Sequence, residues 1–356
     1  MHILFTLKDF KEGGGVERVQ QRLAEQFLKD GQRVSVFVMN GETPDVAGAP
    51  ALDGGGNGLF GLIKSVVLLR RIIRREGVTH LISAKEQANL CTWFATLGSG
   101  CHVIYTRHTA LDCSEQKTGV HSLRLLYALY LCGSGQVVAV SHGLHQALAR
   151  LMPWGRQRIR YCPNAVVTDQ LYAAARGPLP KGLPREYWIA VGRLIELKGF
   201  HLLLEAYAQV ASNPLVPDLM IVGDGPMRES LIDQAQRLGI ARRVTFTGHL
   251  GNPYPLIRHA RLLILSSFYE GQPTVLIEAL ALGTPVLATD CPSGPRELLD
   301  NGRLGQLVRV NDVPDLARGL EQSLDLAAHS ARSMAHTVNP YTSEHAAQAY
   351  YQVWNL

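Results

Sequence analysis

Residues 266–297, SSFYEGQPTVLIEALALGTPVLATDCPSGPRE, decide the fold of this chain. The apolar strand RLLILSS ends where the stretch begins, and a turn at residues 269–272 follows. Pro273 suits the first turn of a helix, because its missing N–H would be unpaired there anyway. The helix TVLIEALAL then ends at Gly283, Pro285 prevents an extension, and the strand PVLAT begins at once. Strand, short loop, helix and strand predict a βαβ unit.

The start of this helix is a candidate ligand site. The unpaired N–H groups of Thr274 and Val275 should point out of the carboxyl edge of the sheet, where open α/β sheets bind ligands, and they suit a diphosphate. Glu270 precedes the helix, and Glu278 lies inside it among apolar neighbours. A carboxylate in such surroundings needs a partner, and sugar or ribose hydroxyls would serve. The alternative is a surface acid and a helix acid that each pair with an arginine.

Length and composition indicate an ordinary globular chain. At 356 residues, with 46% hydrophobic and 18% charged residues, the chain can form two domains with separate cores. No apolar run is long enough to span a membrane, and MHILFTL lacks the features of a signal peptide. Six cysteines without a C-x-x-C pair indicate free thiols rather than a zinc site or a disulfide framework. A cytoplasmic location is therefore expected.

Charge is unevenly distributed. Residues 1–168 contain 19 Lys and Arg against 12 Asp and Glu, a net charge of +7, whereas residues 169–356 have a net charge of −2. This predicts an anionic partner for the first part, such as phospholipid head groups or a lipid diphosphate. Nucleic acid is disfavoured because the basic residues are not interleaved with stacking aromatics.

A basic helix is predicted at residues 59–77, with Lys64, Arg71 and Arg75 on one face. It is either a half-buried helix with a solvated basic edge or a surface that docks onto an anionic membrane. The Gly-, Pro- and Ala-rich residues 41–58, which precede it, are interpreted as a surface loop.

The first strand, HILFTL, leads to a glycine run at residues 13–15 and then to a helix. The glycines either let the backbone approach a ligand closely or satisfy a turn that needs a positive φ. His108 follows the strand HVIYTR at its carboxyl end, where ligand loops gather, although a single histidine there is often structural.

The second half repeats the strand-loop-helix pattern. Residues 167–185 are punctuated by Pro and Gly and predict a linker. After the strand EYWIAV come Arg193 and Lys198, close to a helix start. An arginine can bind one phosphate in a fork and a lysine can bind another as a point charge, unless both are merely solvated cations.

Several of these motifs resemble those of the retaining glycosyltransferases of family four. The match rests on Glu270-x7-Glu278 followed by EALALGTPVLAT, together with GRLIELKG, GGVER and CPNAV, while DCPSGPREL resembles the branch that extends lipid-linked oligosaccharides. The resemblance implies an α/β GT-B fold, in which two Rossmann-like domains face each other across a cleft. It implies an acceptor-binding domain at residues 1–168 and a nucleotide-sugar-binding domain at 186–335. A C-terminal helix at 340–356 would pack back on the first domain.

The resemblance also implies the residues of the site. The catalytic residues would be His108, Glu270, Arg193 and Lys198. The donor-binding residues would be Gly14, Gly15, Arg193, Lys198, Gly248, Leu250, Glu270, Gly271, Thr274, Val275 and Glu278. Glu278 would hold the ribose, while Glu270 and His108 would contact the transferred sugar. No D-x-D motif follows a strand, and neither a metal nor another cofactor is expected.

The resulting hypothesis is a transferase that moves a hexose or N-acetylhexosamine from a UDP-sugar to a lipid-linked acceptor, with retention. The acceptor would be a polyprenyl diphosphate or a lipopolysaccharide-type glycan, and the protein would associate peripherally with the inner face of the plasma membrane. A nucleotide-sugar 2-epimerase and a non-catalytic sugar-nucleotide binding module remain open alternatives. A dinucleotide dehydrogenase is disfavoured because the first loop reads GGGVER rather than G-x-G-x-x-G.

Overall fold

The computed structural model describes residues 1–10, 14–40, 51–54, 58–111, 119–180, 182–326 and 331–355. The chain divides into two compact units. The first contains Met1–Val166 and Tyr341–Leu356, and the second contains Val167–Pro340. Each unit has its own parallel sheet and its own hydrophobic core.

The first unit is built on a parallel sheet. Its strands are β1 His2–Asp9, β2 Arg33–Asn40, β3 Ala51–Asp53, β4 His80–Ala84, β5 His102–Arg107, β6 Gln136–Ala139 and β7 Ile159–Tyr161. They lie in the order β3-β2-β1-β4-β5-β6-β7, and all neighbouring strands are parallel. Parallel strands covered on both faces are continuous apolar runs, which explains why the first six residues of β1 are all buried.

Helices cover both faces of this sheet. They are α1 Gly15–Lys29, α2 Gly58–Glu76, α3 Glu86–Thr96, α4 Val120–Cys132 and α5 His142–Leu151. On one face, α2 to α5 share a core that includes Leu69, Tyr127 and Leu144. The core on the other face includes Leu23 and Phe27 of α1.

Strand β3 corrects one prediction. Of the segment at 41–58 that was interpreted as a surface loop, residues 41–50 and 55–57 lie outside the described residues, but Ala51–Asp53 form a strand that pairs with Val36–Val38 of β2. The loop prediction is wrong for this part. A three-residue edge strand is fixed by its partner rather than by its own composition, so local sequence does not reveal it.

The second unit repeats the architecture. Its strands are β8 Tyr187–Val191, β9 Asp218–Val222, β10 Val244–Gly248, β11 Leu262–Leu265, β12 Val286–Thr289 and β13 Gln306–Val308. Their order is β10-β9-β8-β11-β12-β13, again entirely parallel. Its helices are α6 Asp169–Ala174, α7 Phe200–Val210, α8 Arg228–Arg237, α9 Tyr254–His259, α10 Thr274–Leu282, α11 Pro295–Leu298, α12 Val313–Gln322 and α13 Ala331–Val338.

Helix α6 lies within the predicted linker. The hydroxyl of Thr168 caps it by accepting a hydrogen bond from the N–H of Leu171, and α6 packs beside α9. The linker prediction therefore missed a helix, because a run of six residues carries too little periodicity to be recognised.

The last helix, α14 Ser343–Val353, belongs to the first unit and packs beside α1. Its aromatic side chains surround Phe27. The ring centroid of Phe27 lies 5.2 Å from that of Tyr351 and 5.9 Å from that of Trp354, which follows the helix. The helix thus completes the core on the α1 face of the sheet.

Both sheets have the doubly wound strand order, which reverses direction at one place. The reversal falls between β1 and β4 in the first unit and between β8 and β11 in the second. Ligands of open α/β sheets bind outside the carboxyl ends of the strands at such a point. The loops after these four strands are therefore the places to look for a site.

Candidate active site

In the second unit, the loops after β8 and β11 are joined by hydrogen bonds. After β8, a short 3₁₀ turn at Glu196–Lys198 leads to Gly199, which has a left-handed φ of 61° and starts α7. The hydroxyl of Ser266 donates to the carbonyl oxygen of Lys198 at 2.8 Å, and the N–H of Phe268 donates to that of Leu197 at 2.9 Å. A Cβ on Gly199 would lie 2.2 Å from the carbonyl oxygen of Ser266, so only glycine allows this approach.

These loops bring Lys198 and Glu270 together. The Lys198 Nζ donates to Glu270 Oε1 at 2.6 Å, and the Ser267 hydroxyl donates to the same oxygen at 2.6 Å. Only 10% of the Glu270 side chain is exposed, so the carboxylate depends on these charge-assisted bonds. An ammonium group has three N–H donors, so this bond to Glu270 uses one of those of Lys198.

Arg193 lies in the same β8 loop and is exposed. Among the described residues, no carboxylate forms an ion pair with it. Arg193 and Lys198 therefore place two cations in the loop that follows the central strand β8, and one of them has no partner in the described part of the chain.

Helix α10 begins at Thr274, one residue after Pro273, which serves as its N-cap with a φ of −73°. Pro273 was predicted inside the first turn, so the start differs by one position, while the end at Gly283 agrees with the prediction. The N-cap residue itself makes no side-chain hydrogen bond to the helix. The N–H groups of Thr274 and Val275 are among those that a helix leaves without an intrahelical partner.

Glu278 is buried, with 6% of its surface exposed, as its apolar neighbours predicted. The hydroxyl of Tyr254 on α9 donates to Glu278 Oε1 at 3.2 Å. Sequence reasoning expected the partner to be a ligand hydroxyl and missed Tyr254, which lies 24 residues away. No local signal connects the two residues, because the sheet topology alone brings α9 beside α10.

The loop after β12 packs against Gly271 and Pro273. Ser293 and Gly294 have consecutive left-handed φ values of 64° and 95°. A Cβ on Gly294 would lie 2.5 Å from Pro273 Cδ and 3.5 Å from the carbonyl oxygen of Gly271. The sequence SGP, noted only as part of a family resemblance, therefore shapes the loop that precedes α10.

Gly248 ends the edge strand β10, and Leu250 follows it. The carbonyl oxygen of Gly248 accepts a hydrogen bond of 2.9 Å from the N–H of Gly223. A Cβ on Gly223 would lie 1.9 Å from the carbonyl oxygen of Gly192. The loop after β9 therefore contacts the loop after β10 on one side and the loop after β8 on the other. Gly248 and Leu250 lie in the outermost of these loops, the one after β10.

In the first unit, the structure rules out one of the two interpretations of the Gly14–Gly15 run, a turn that needs a positive φ. Gly14 has an ordinary φ of −69°, so positive φ is not the reason for glycine. A Cβ on Gly14 would instead lie 2.1 Å from Glu17 Oε2. Glu17 is buried and forms an ion pair with Lys85, which also binds Asp9 at 2.9 Å. Gly13 lies outside the described residues.

His108 lies at the carboxyl end of β5, as predicted. Its Nε2 is 3.0 Å from the hydroxyl oxygen of Thr106 and 3.3 Å from the amide nitrogen of Gln20. Desolvation, followed by the nearby charges of Arg107 and Lys85, lowers the pKa of His108 to about 4. The imidazole is therefore neutral near pH 7 and available to hydrogen-bond with hydroxyl groups.

A pocket of about 390 Å³ lies beside His108. Its lining is polar and charged, and it consists of Lys8, Val16, Lys85, Glu86, Gln87, Thr106, Arg107, His108 and Thr109. Most of the charges are neutralised in pairs, because Arg107 binds Glu86 and Lys85 binds Glu17 and Asp9. The described residues contain no cluster of His, Cys, Asp or Glu that could hold a metal ion.

Two family comparisons match most of the chain. Residues 13–170 match the family described as Glycosyltransferase Family 4, and residues 174–337 match Glycosyl transferases group 1. An N-acetylgalactosaminyltransferase of Campylobacter jejuni, whose substrate is named as a diphospho-undecaprenol, is 32% identical over 72% of this chain and 70% of its own length. The chain belongs to the group 1 glycosyltransferases.

This chain matches only part of the length of two other glycosyltransferases. A lipopolysaccharide core biosynthesis glycosyltransferase of Rhizobium meliloti is 31% identical over 54% of this chain, which spans 55% of that protein. An uncharacterised glycosyltransferase of Methanocaldococcus jannaschii is 32% identical over 67% of this chain, which spans 62% of that protein.

Solved structures establish the fold class. The Anabaena protein HepE, in a crystal structure with UDP-glucose, superimposes on this chain with a TM-score of 0.79 at 19% identity, covering 100% of both chains. At that identity the likeness shows the fold alone, which is GT-B, with two Rossmann-like units. The predicted fold class is confirmed.

Proposed function

We propose that the protein is a retaining glycosyltransferase that moves a hexose or N-acetylhexosamine from a UDP-sugar to a hydroxyl of a lipid-linked acceptor. One observation carries this proposal. Lys198, Glu270 and the start of α10 converge at the reversal point of the second sheet. Cations, a carboxylate and helix N–H groups in one place suit a sugar diphosphate better than they suit a neutral ligand.

The second unit would bind the donor. The diphosphate would contact Arg193, Lys198 and the N–H groups of Thr274 and Val275, while Glu278 would accept hydrogen bonds from the ribose. Glu270, already held by Lys198 and Ser267, would orient the sugar. Gly248 and Leu250, at the end of the connected loops, would lie beside the base. UDP as the nucleotide draws support from the UDP-glucose complex of the HepE structure.

The chemistry requires that negative charge on the departing diphosphate be stabilised as the C–O bond breaks. Arg193, Lys198 and the α10 N-terminus lie in the loops at the carboxyl edge of one sheet, and donors held in place there would lower such a barrier. We propose that they do so without a metal ion, and that the acceptor hydroxyl attacks from the face that the diphosphate leaves and passes its proton to the departing phosphate oxygen. An anomeric NMR assignment of the product tests retention. Turnover that persists in EDTA tests metal independence.

The first unit would receive the acceptor. The pocket beside His108 contains neutral imidazole and charges that are already paired, which suit sugar hydroxyls rather than a free anion. His108 would donate or accept a hydrogen bond at the transferred sugar, and the Gly14–Gly15 turn would contact the diphosphate. A lipid-linked acceptor draws support from the name of the Campylobacter relative. Such an acceptor would place the protein at the inner face of the plasma membrane.

The test is a donor panel of UDP- and GDP-sugars, incubated with and without membrane lipid extract. Wild type is compared with Glu278→Gln and with Glu321→Gln, an exposed helix glutamate of the same unit that serves as a matched control. Lipid-dependent release of UDP from one donor, reduced in Glu278→Gln but not in Glu321→Gln, supports the transferase.

Two other outcomes overturn it. Conversion of the donor sugar to an epimer without any lipid would identify a 2-epimerase. Tight UDP-sugar binding with no turnover in any mixture would identify a non-catalytic binding module.

A further inference from the structure

The exposed face of α2 carries apolar side chains, whereas the exposed face of most helices is polar. The helix packs onto its unit through a narrow stripe of Gly61, Ser65, Leu69 and Ile73. Phe60, Ile63 and Val67 follow the i, i+3, i+7 spacing that places side chains on one face of a helix, and this face differs from the buried one. They are 88%, 54% and 53% exposed. Exposed apolar side chains at such spacing are typical of an interaction surface.

Neighbouring elements extend this character. Helix α2 packs beside α3, α3 beside α4, and α4 beside the turn Pro153–Arg158. Among the described residues, seven of the twelve exposed large hydrophobic side chains belong to these four elements, and an eighth, Leu97, directly follows α3. They are Leu59, Phe60, Ile63, Val67, Phe94, Leu97, Leu125 and Trp154. We name this layer the α2 surface.

The α2 surface is also basic. Helix α2 carries exposed Lys64, Arg71, Arg74 and Arg75 and a single acid, Glu76, which is paired with Arg33. In the described part of the chain, none of these four cations forms an ion pair. The apolar side chains occupy the first half of α2, and three of the four cations occupy the second half.

We infer that the α2 surface docks onto an anionic lipid bilayer, with Phe60, Ile63 and Val67 in the headgroup and acyl boundary and Arg71, Arg74 and Arg75 on the lipid phosphates. Apolar and basic residues on one exposed helix are the combination that holds a helix in the plane of a membrane surface. None of the helices in the described ranges has the length and hydropathy of a membrane span.

Other occupants fit less well. A second copy of this chain would bring two sets of unpaired cations together, which is repulsive. A nucleic acid would use the cations but would leave Ile63 and Val67 without a stacking role. The inference rests on the proposed function, because a protein that acts on a lipid-linked acceptor has to meet the membrane.

The test measures binding of the full chain, without donor or acceptor, to phosphatidylcholine vesicles with and without phosphatidylglycerol. Arg71→Glu/Arg75→Glu should lower partition into the anionic vesicles at least about tenfold, because each basic residue near such a surface contributes separately. Arg242→Glu/Arg258→Glu, a double reversal at exposed arginines of the second unit, is the matched control and should leave partition nearly unchanged.

A second pair of variants tests the apolar half. Wild type is the baseline here, because its own Trp154 lies in the α2 surface. Phe60→Trp should add quenching by brominated lipid in anionic vesicles above that of wild type. Leu215→Trp, at a position of the second unit that is 74% exposed, should add none. Equal effects of both charge reversals, equal quenching of both tryptophans, or equal binding to neutral and anionic vesicles would each overturn the inference.

The two proposals fail in different ways. If wild type transfers sugar to a detergent-solubilised lipid acceptor but binds no vesicles, the α2 surface is not a membrane surface and the proposed function stands. If it binds anionic vesicles through α2 but releases no UDP with any lipid extract, the transferase proposal fails and the docking surface remains.

Discussion

The reversal points of the two sheets share one strand order and differ in how they treat charge. In the first unit, Lys85 and Arg107 are neutralised by acids of the same edge, and His108 is held neutral. In the second unit, Glu270 is shared between Lys198 and a hydroxyl, while Arg193 has no ion-pair partner among the described residues. Lys85 and Arg107 are thus paired within their own unit, whereas the second edge has one cation, Arg193, without an ion-pair partner in the described part of the chain. Loops, not strand order, set the chemistry of a doubly wound sheet.

The largest effect should come from removing the cation of the second edge. Lys198→Ala is expected to lower kcat/KM by about 10²–10³-fold, because it deletes a fixed donor to the leaving diphosphate and strands a nearly buried Glu270. Steady-state kinetics and calorimetric UDP binding measure this. Lys8→Ala, at the pocket of the first unit, is the control and should change UDP affinity little. Equal losses in both variants would show that the two edges do not differ as described.

The next effect concerns the loop that supports α10. Gly294→Ala should reduce the stability of the second unit by about 3 kcal/mol, since it combines a left-handed φ with a steric clash at Pro273. UDP affinity should fall with it. Gly302 has a similar φ of 97°, but a Cβ there would meet open space. Gly302→Ala should therefore lower the free energy of unfolding by only about 1 kcal/mol and keep its UDP affinity. Thermal unfolding and UDP titration compare the two, and indistinguishable variants would remove the clash as the cause.

A third effect is the pH dependence of stability that His108 should give to the edge of the first unit. Because the pKa of His108 is about 4 when folded and 6.5 in the reference state, the unfolded chain binds more protons between these values. Stability contributed by the neutral ring is complete above pH 6.5 and falls as the pH drops toward 4. Wild type should lose about 2 kcal/mol more than His108→Gln between about pH 7 and pH 5. Urea unfolding at both values measures this difference, and parallel losses would refute the assignment to His108.

The smallest effect tests how Glu278 is held. Tyr254→Phe removes one hydrogen bond to that carboxylate and should weaken UDP binding by about fivefold, equivalent to about 1 kcal/mol. Tyr187→Phe removes a 2.9 Å bond to the carbonyl oxygen of Leu256 in the same unit. It should lower stability by a similar amount without changing UDP affinity. A matching loss of UDP affinity in Tyr187→Phe would mean that Tyr254 acts through general packing.

Local sequence predicted the elements whose signals are local. Helix α10 was predicted to within one residue at its start and correctly at its end, because a proline, an apolar run and a terminal glycine lie within a dozen positions. The two Rossmann-like units were predicted from the resemblance and from repeated strand-loop-helix patterns. Strand β3 and helix α6 were missed because each is too short to show a period and depends on its neighbour.

The site was predicted as a set of residues but not as a set of partners. Lys198 and Glu270 were assigned to different parts of a ligand, yet they bind each other across 72 positions of sequence. Tyr254 beside Glu278, and Glu17 beside Gly14, were not predicted at all. Such pairs are created when strands far apart in sequence become neighbours, and residue type alone does not specify them.

The position of α14 has a consequence for how the protein is made. Its aromatic cluster closes the core around Phe27, but about three hundred residues separate that phenylalanine from its partners, and the whole second unit lies between them. During translation the first sheet and α1 emerge early, but the aromatic core around Phe27 stays incomplete until Trp354 has been synthesised. Domains usually fold in the order of synthesis. Here the unit that appears first should be the last to complete its core.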